Sequence, residues 1–361
     1  MAAEMRGQEG PEAAERRWEA RLAELEARVR AFEAAMAAPP RRSVDWAGLA
    51  ERYGLVIAWI GLIAVIAMIR PEQMLRWNSY SSMFGSNAMI VVLTLGLMIP
   101  LTTGDYDLSV ASVMGLSSML VAVLTVRMGW SLPGAVVFAI LAGAAIGAVN
   151  AFFILWFGIH SLIVTLGTGY FLNGVILWIS NSNTITGVPI ALGRAVIMTR
   201  DPFLGVPLSF WYAVLLTLVI WYLFEHTALG RRLLFTGRGR EVARLSGVNV
   251  NRMRAGALIA SGSIAALAGV LYTGMRLGAD PTSALGFLLP AFAAAFLGST
   301  TIYPGRFNAI GAFVAVYFLS TGIMGLTFLG ADSFVQNLFY GGGLVVAVSI
   351  SQLIRGRRPM G

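Results

Sequence analysis

LSFWYAVLLTLVIWYLFE (208–225), GRRLLFTGRGREVARLSGVNVNRMR (230–254) and AGALIASGSIAALAGVLYTGM (255–275) follow one another almost without a gap. The first and last are apolar and close to the roughly 20 residues that cross a bilayer as a helix. The block between them holds seven arginines and a single acid, Glu241. A basic loop between two membrane-length runs belongs on the side of the membrane that retains positive charge. The stretch therefore reads as two spans joined by a large cytoplasmic loop.

The whole chain fits that class. Its 361 residues are 57% hydrophobic and only 12% charged, with a mean hydropathy of +0.74, more apolar than a soluble core of this length needs. Cysteine is absent, which excludes disulfides, thiolate metal sites and thiol nucleophiles. His160 and His226 are too far apart in sequence to suggest a metal cluster, and no metal is expected. The net charge of +8 does not indicate nucleic acid, because of where it lies. Residues 1–42 hold eight arginines and eight acids, so the excess falls in 230–254 and in Arg355, Arg357 and Arg358.

The start of the chain lacks the apolar region of a signal peptide. Trp18, Leu22, Leu25, Val29, Phe32 and Met36 are instead spaced 4, 3, 4, 3, 4, a heptad stripe of under three repeats. It reads either as a short coiled coil or as a marginal amphipathic helix on the membrane surface, ended by Pro39 and Pro40. The expected division is an N-terminal cytoplasmic helix in 1–42 and a transmembrane domain in 43–361.

Ten apolar runs follow, near 53–69, 82–102, 107–126, 132–156, 160–179, 208–225, 255–275, 284–301, 307–328 and 333–354. Ten crossings put both termini and the 226–254 loop on the cytoplasmic side, so parity and charge agree. The 180–207 connection, with Arg194, Arg200 and Asp201, then faces outside. Two polar islands interrupt the pattern, Thr102–Ser109 and Gly298–Arg306. Pairing spans two to five with spans seven to ten, in opposite senses, suggests that the islands match and that the chain carries an inverted internal repeat. Solute would be handled near its broken helices. The expected fold is an all-α polytopic membrane protein of about ten transmembrane helices.

Asp105 and Asp107 stand in the first island. A carboxylate at membrane depth costs on the order of 2.5–3.5 kcal/mol, so it faces a cavity, water or a partner. The pair reads either as lining a translocation path or as capping the third span, with Ser109 as the other candidate cap. Asn150, Thr168, Asn173 and Ser299 join the path candidates, and Asn87, Thr165 and Asn337 are further polar residues within spans. Such groups serve a hydroxyl-rich solute or bond one helix to another. The small-residue runs around Gly143, Gly147, Gly262, Gly269 and Gly341–Gly343 read as close helix packing.

No GxxxxGK[ST] loop is present, and there is no lysine at all, so ATP is not held by that route. Glu241–Gly247 reads E-x-A-x-x-x-G, a short helical segment closed by a glycine suited to a helix C-terminus. It has the form of a rigid lever for a separate ATPase.

At these residues the chain resembles the importer permeases of the ATP-binding-cassette (ABC) class, and within it the ribose, xylose and arabinose permease family. EVARLSG is similar to the EAAxxxG coupling element, and TALGRRLLFTGRGREVARLSGVNV to the family's loop around it. DYDLSVAS from Asp105 resembles G-G-I-D-L-S-V-G-S, SLIVTLGT from Ser161 resembles P-x-x-I-V-T-L-G-T, and LGSTTIYPGRFNAIGAF from Leu297 resembles L-G-G-T-S-x-x-G-G-x-G-S-x-x-G. Together the motifs cover about 53–355 in order. The chain departs from the pattern where Ser299 and Pro304 replace glycines, where Arg306 and Phe307 enter a small-residue turn, at Ala111, and in the extra acid Asp105.

The resemblance implies a non-enzymatic permease subunit in a bacterial inner membrane, without a cofactor of its own. It also implies a second permease copy, ATPase subunits that bind the ATP, and an extracytoplasmic solute-binding protein. Arg240, Glu241, Ala243, Arg244 and Gly247 are the expected ATPase-coupling residues, and Arg231 and Arg232 would meet anionic lipid. A sugar or related polyhydroxylated solute is the expected cargo. The alternatives are an ABC permease for nucleosides or branched-chain amino acids, and an ion- or proton-coupled secondary carrier using Asp105 and Asp107.

Overall fold

The computed structural model describes residues 11–37 and 46–357, and within them the chain is almost wholly helical. Two units separate by contact at Trp46. The first contains α1, Pro11–Ala37. Its heptad residues Trp18, Leu22, Leu25 and Val29 are exposed, and an Arg30–Glu26 pair one turn apart runs along it. The side chains of Phe32 and Met36, and Pro39 and Pro40, lie outside the described residues.

The second unit is the membrane domain. It begins with α2 (Trp46–Ile69), α3 (Pro71–Met74), α4 (Trp77–Ser86) and α5 (Ala88–Thr102). Next come α6 (Val110–Ala122), prolonged by a π turn to Arg127, then α7 (Leu132–Trp156), α8 (Ser161–Ser180) and α9 (Ile190–Gly193). The second half holds α10 (Leu208–His226), α11 (Ala228–Arg238), α12 (Arg240–Leu245) and α13 (Val250–Arg276). It closes with α14 (Leu288–Gly298), α15 (Ala309–Phe328) and α16 (Ser333–Arg357).

Among the described residues seven helices are long and apolar enough to cross a membrane, and α4 with α5 makes an eighth that bends by 43° at Asn87. The eighth and tenth expected spans correspond to shorter apolar helices, Ser283–Gly298, which includes a 3-10 turn, and Phe334–Ser349 within α16. The protein is an all-α polytopic membrane protein with broken helices.

Every residue of α5 is buried, and the helix has no polar face because protein surrounds it on all sides. It packs against α10, α13, α14 and α15. The longest helix of the domain, α13, packs against α5, α6 and α7. Lipid is as apolar as a leucine side chain, so close van der Waals packing has to hold these helices together. Gly143 on α7 and Gly262 on α13 show how: a Cβ on either would run into the carbonyl oxygen of the other.

The helix neighbours carry the repeat. α6 packs against α7, α8 and α13, and α14 packs against α15, α16 and α5. Exchanging α5 with α13, α6 with α14, α7 with α15 and α8 with α16 turns the first set of neighbours into the second. The end of α5 lies beside the start of α13, so these two run antiparallel. One expectation needs correction, because the two islands are not counterparts. The first joins α5 to α6 and the second joins α14 to α15, and both lie at the end occupied by the 226–254 loop. The counterpart of the first island is the 277–287 connection at the opposite end. There β2 (Gly278–Ala279) pairs antiparallel with β1 (Ile185–Thr186) of the 180–207 connection.

Candidate functional site

The 226–254 loop folds as two helices and the start of a third, each with a local signal for its ends. Thr227 caps α11, its hydroxyl accepting from the Gly230 N–H at 3.1 Å. Asn249 caps α13, its side-chain oxygen accepting from the Arg252 N–H at 3.0 Å. Between them α12 closes at Gly247, whose φ of +81° allows the two reversed bonds of a Schellman motif. Val248 N–H donates to the Ala243 carbonyl and Gly247 N–H to that of Arg244, each at 3.0 Å.

This closure fixes which way α12 faces. Ala243 is buried against the domain, while Glu241, Val242, Arg244 and Leu245 point outward. Leu245 is 86% exposed, an apolar tip between charges. Arg240 faces the first island instead. Its guanidinium donates to the carbonyls of Thr103 at 3.2 Å and Gly104 at 3.0 Å, and to Asp105 Oδ1 at 3.1 Å. Beside it Gly237 lies against the Thr102 carbonyl so closely that a Cβ would not fit.

Asp105 is therefore the node between loop and helices. Arg254, the fifth residue of α13, donates through Nε to Asp105 Oδ2 and through Nη2 to Oδ1, both at 2.7 Å. This fork geometry makes the strong form of a charged pair. The Asp105 side chain is 2% exposed, against 14% for Arg254 and 43% for Arg240.

The second island is tied to the start of the same loop. Arg306 donates to both carboxylate oxygens of Glu225, at 2.7 and 2.8 Å, and lies over the Tyr303 ring at 4.3 Å. Asn308 caps α15, accepting from Gly311 N–H at 2.7 Å, and its amide donates to the carbonyls of Gly298 and Thr301. Ser299 is buried there, its hydroxyl donating to the Phe296 carbonyl at 2.7 Å. The loop is thus clamped to one island through Glu225 and to the other through Arg240 and Arg254.

Asp107 is buried in a hydrogen-bonded chain and makes no side-chain cap to the first turn of α6. Its Oδ1 accepts from the Ser109 N–H at 3.1 Å and hydroxyl at 2.6 Å, and its Oδ2 from Ser261 at 2.8 Å. Asn150 donates to Ser109 at 3.0 Å, and Thr168 to Asn150 at 2.7 Å. Four of the expected path residues thus meet as one polar chain that joins α6, α7, α8 and α13. Ser161 and Thr165 of α8 accept from the island N–H groups of Tyr106 and Leu108, which brings the DYDLSVAS and SLIVTLGT motifs together. Asn173, also on α8, is half-buried.

Arg254, Glu225, Asn308 and Ser261 escaped the sequence reading. A lone acid in an apolar island requires a cation, but nothing in the sequence says which of the loop's arginines supplies it.

Residues 79–348 match the family described as the permease component of the branched-chain amino acid transport system, and the chain belongs to that family. It is 27% identical to the D-allose transport system permease protein of Escherichia coli over 88% of this chain and 96% of that one. Against the ribose import permease protein of Escherichia coli it is 29% identical, over 86% and 96%. Against an autoinducer 2 import system permease protein of Salmonella typhimurium it is 30% identical, over 82% and 91%. No solved structure matches the chain.

Proposed function

We propose that this chain is the membrane subunit of an ABC importer that carries a sugar or related polyhydroxylated solute into the cytoplasm. ATP is hydrolysed on a separate subunit, and solute arrives from an extracytoplasmic binding protein. The permease works with a second copy in a bacterial inner membrane, with both termini and the 226–254 loop cytoplasmic. The observation that carries this reading is the mounting of α12, which offers Glu241, Val242, Arg244 and Leu245 outward while the loop bearing it is anchored to both islands. A push on α12 would act through Arg240 and Asp105 on the junction of α5, α6 and α13. The permeases of allose, ribose and autoinducer 2 systems among its relatives support a hydroxyl-bearing cargo.

A carrier driven by protons through Asp105 and Asp107 fits less well, because both carboxylates are held by arginines or hydroxyls of the protein. The test is reconstitution in proteoliposomes with the ATPase and binding protein encoded beside it. ATP hydrolysis stimulated by a sugar in the wild type, and lost in Glu241→Arg without loss of folded protein, is the expected result. Uptake that follows a proton or sodium gradient and ignores ATP would overturn the reading.

A further inference from the structure

A second polar feature lies at the far end of the domain. α4, α15 and α16 line an open pocket of about 390 Å³, within the range of roughly 300–1,000 Å³ common for small-molecule sites. Ser79, Ser82 and Ser86 reach it from α4 at spacings of three and four, one face of a helix. Ser320 and Thr327 reach it from α15, two turns apart, and Asn87 stands where α4 bends into α5. Packing against lipid does not call for so many hydroxyls on one wall.

Four of these six residues have their protons committed within the protein. Ser79 donates to the Gln73 carbonyl at 3.2 Å, Ser86 to that of Met83 at 3.3 Å and Thr327 to that of Ile323 at 2.9 Å. The Asn87 amide nitrogen donates to the Met83 carbonyl at 3.0 Å. Hydroxyl lone pairs and the Asn87 carbonyl oxygen remain as acceptors, and the Ser82 and Ser320 hydroxyls can both donate and accept. Among the described residues no ionisable acid, arginine or histidine lines the pocket. Such a wall favours a neutral donor of several hydroxyl protons, and Phe328 and Tyr340 add ring surface for the C–H face of a sugar. Its α4 wall is tied to the 199–207 turn, where Ser81 donates to the Gly205 carbonyl.

We propose that this pocket is a transient site for the neutral polyhydroxylated solute, and that the bend at Asn87 sets how wide it stands. The proposal rests on the importer reading. It assigns solute contact to residues other than Asp105, Asp107, Ser109, Asn150 and Thr168, which bond to one another or to the protein.

The full-length permease in lipid nanodiscs is titrated with D-ribose, D-allose and xylitol, with gluconate as a charged control, by ligand-observed NMR. Wild type should bind a neutral polyol and ignore gluconate. Ser82→Leu and Ser320→Leu, which fill the pocket, should weaken binding about tenfold or more, the scale of one lost hydrogen bond. Because the chain has no cysteine, Ser82→Cys gives a single thiol whose alkylation the bound polyol should slow, a readout that survives if a leucine variant fails to fold. Binding unchanged by both leucines, equal binding of gluconate, or alkylation unaffected by polyol would each overturn the proposal. Parallel uptake assays separate the two readings. Wild-type vesicles that accumulate no sugar with ATP would sink the importer reading, whereas uptake that persists unchanged in both filled variants would sink the pocket alone.

Discussion

Asp107 and Asp280 share three hydrogen bonds of the same kind at opposite ends of the membrane domain, and Asp280 Oδ1 accepts a fourth from the Ser283 N–H at 3.0 Å. Oδ1 of each accepts from the backbone N–H and the hydroxyl of the residue two places on, Ser109 at 3.1 and 2.6 Å and Thr282 at 2.9 and 2.8 Å. Oδ2 of each accepts a hydroxyl from another segment at 2.8 Å, Ser261 for Asp107 and Thr184 for Asp280. The first stands between α5 and α6 and the second between α13 and α14, the two connections that the helix neighbours make equivalent. The repeat is therefore kept in turn chemistry as well as in packing.

The two aspartates differ in surroundings, and their variants should differ accordingly. Asp107→Ala leaves the buried hydroxyls of Ser109 and Ser261 without their acceptor, at about 1–3 kcal/mol for each unsatisfied group. The same change at Asp280, where water replaces the carboxylate, should cost under about 1 kcal/mol. Thermal unfolding in detergent compares them, and equal losses would contradict the difference in burial.

The Asp105 node should show unequal partners. Arg254→Met removes the less exposed arginine and leaves a buried carboxylate short of charge, a loss of about 3–5 kcal/mol. Arg240→Met should cost no more than about 1 kcal/mol, because that side chain is 43% exposed and its charge is screened. Removing both charges in Asp105→Leu with Arg254→Met should recover part of the larger loss. Denaturant melts of wild type, Asp105→Leu, Arg254→Met and the double variant form the cycle.

Leu245 separates coupling from stability. At 86% exposure it supports nothing within the chain, so Leu245→Glu should leave stability within about 0.5 kcal/mol of wild type. Solute-stimulated hydrolysis by the reconstituted ATPase should nevertheless fall. Unaltered stimulation would mean that the outer face of α12 carries no contact.

Gly262→Val tests the closest helix contact. Its Cβ would meet the Gly143 carbonyl, and α7 and α13 would have to part. Overpacking of this kind costs about 1–3 kcal/mol. The melting temperature should fall, and a Gly143→Val partner should not restore it, since both changes push the same two backbones apart.

Acid should loosen the end of the domain that bears Asp201 and Asp280. The backbone N–H of Leu204, foremost among four donors, lowers the Asp201 carboxyl from 3.8 to about 2, and the Thr282 N–H foremost lowers that of Asp280. A carboxyl with a depressed folded pKa stabilises fully above its unfolded value and ceases to do so as pH falls through the folded one. The 199–207 turn should hold above about pH 4 and open as pH falls towards 2. Hydrogen exchange at the Phe203, Leu204 and Val206 amides, which donate to Asp201, follows this directly. In Asp201→Asn those amides should exchange fast at every pH.

Much of this was legible in the chain. The apolar runs located the helices because span length is a one-dimensional property, and the E-x-A-x-x-x-G segment announced α12 because caps and helix ends are set by neighbours in sequence. The islands were legible as breaks for the same reason. Their equivalence was misread, since two polar interruptions look alike until the packing shows that one follows the first helix of its half and the other the second. The aspartate turns that do correspond consist of Asp-Leu-Ser and Asp-Pro-Thr, too short a likeness to stand out in a sequence.

By itself the sequence determined that this is a helical membrane protein with a basic loop bearing a short helix closed by a glycine, because hydrophobic length, charge bias and helix-end signals act locally. The tertiary structure decided what each polar residue does. Asp105 finds Arg254 across 149 residues, Glu225 finds Arg306 across 81, and Thr168, Asn150, Ser109 and Asp107 close into one chain. In an apolar interior a carboxylate or amide must be satisfied by whichever partner packing brings within about 3 Å, and that choice belongs to the assembled helices, not to the order of residues along them.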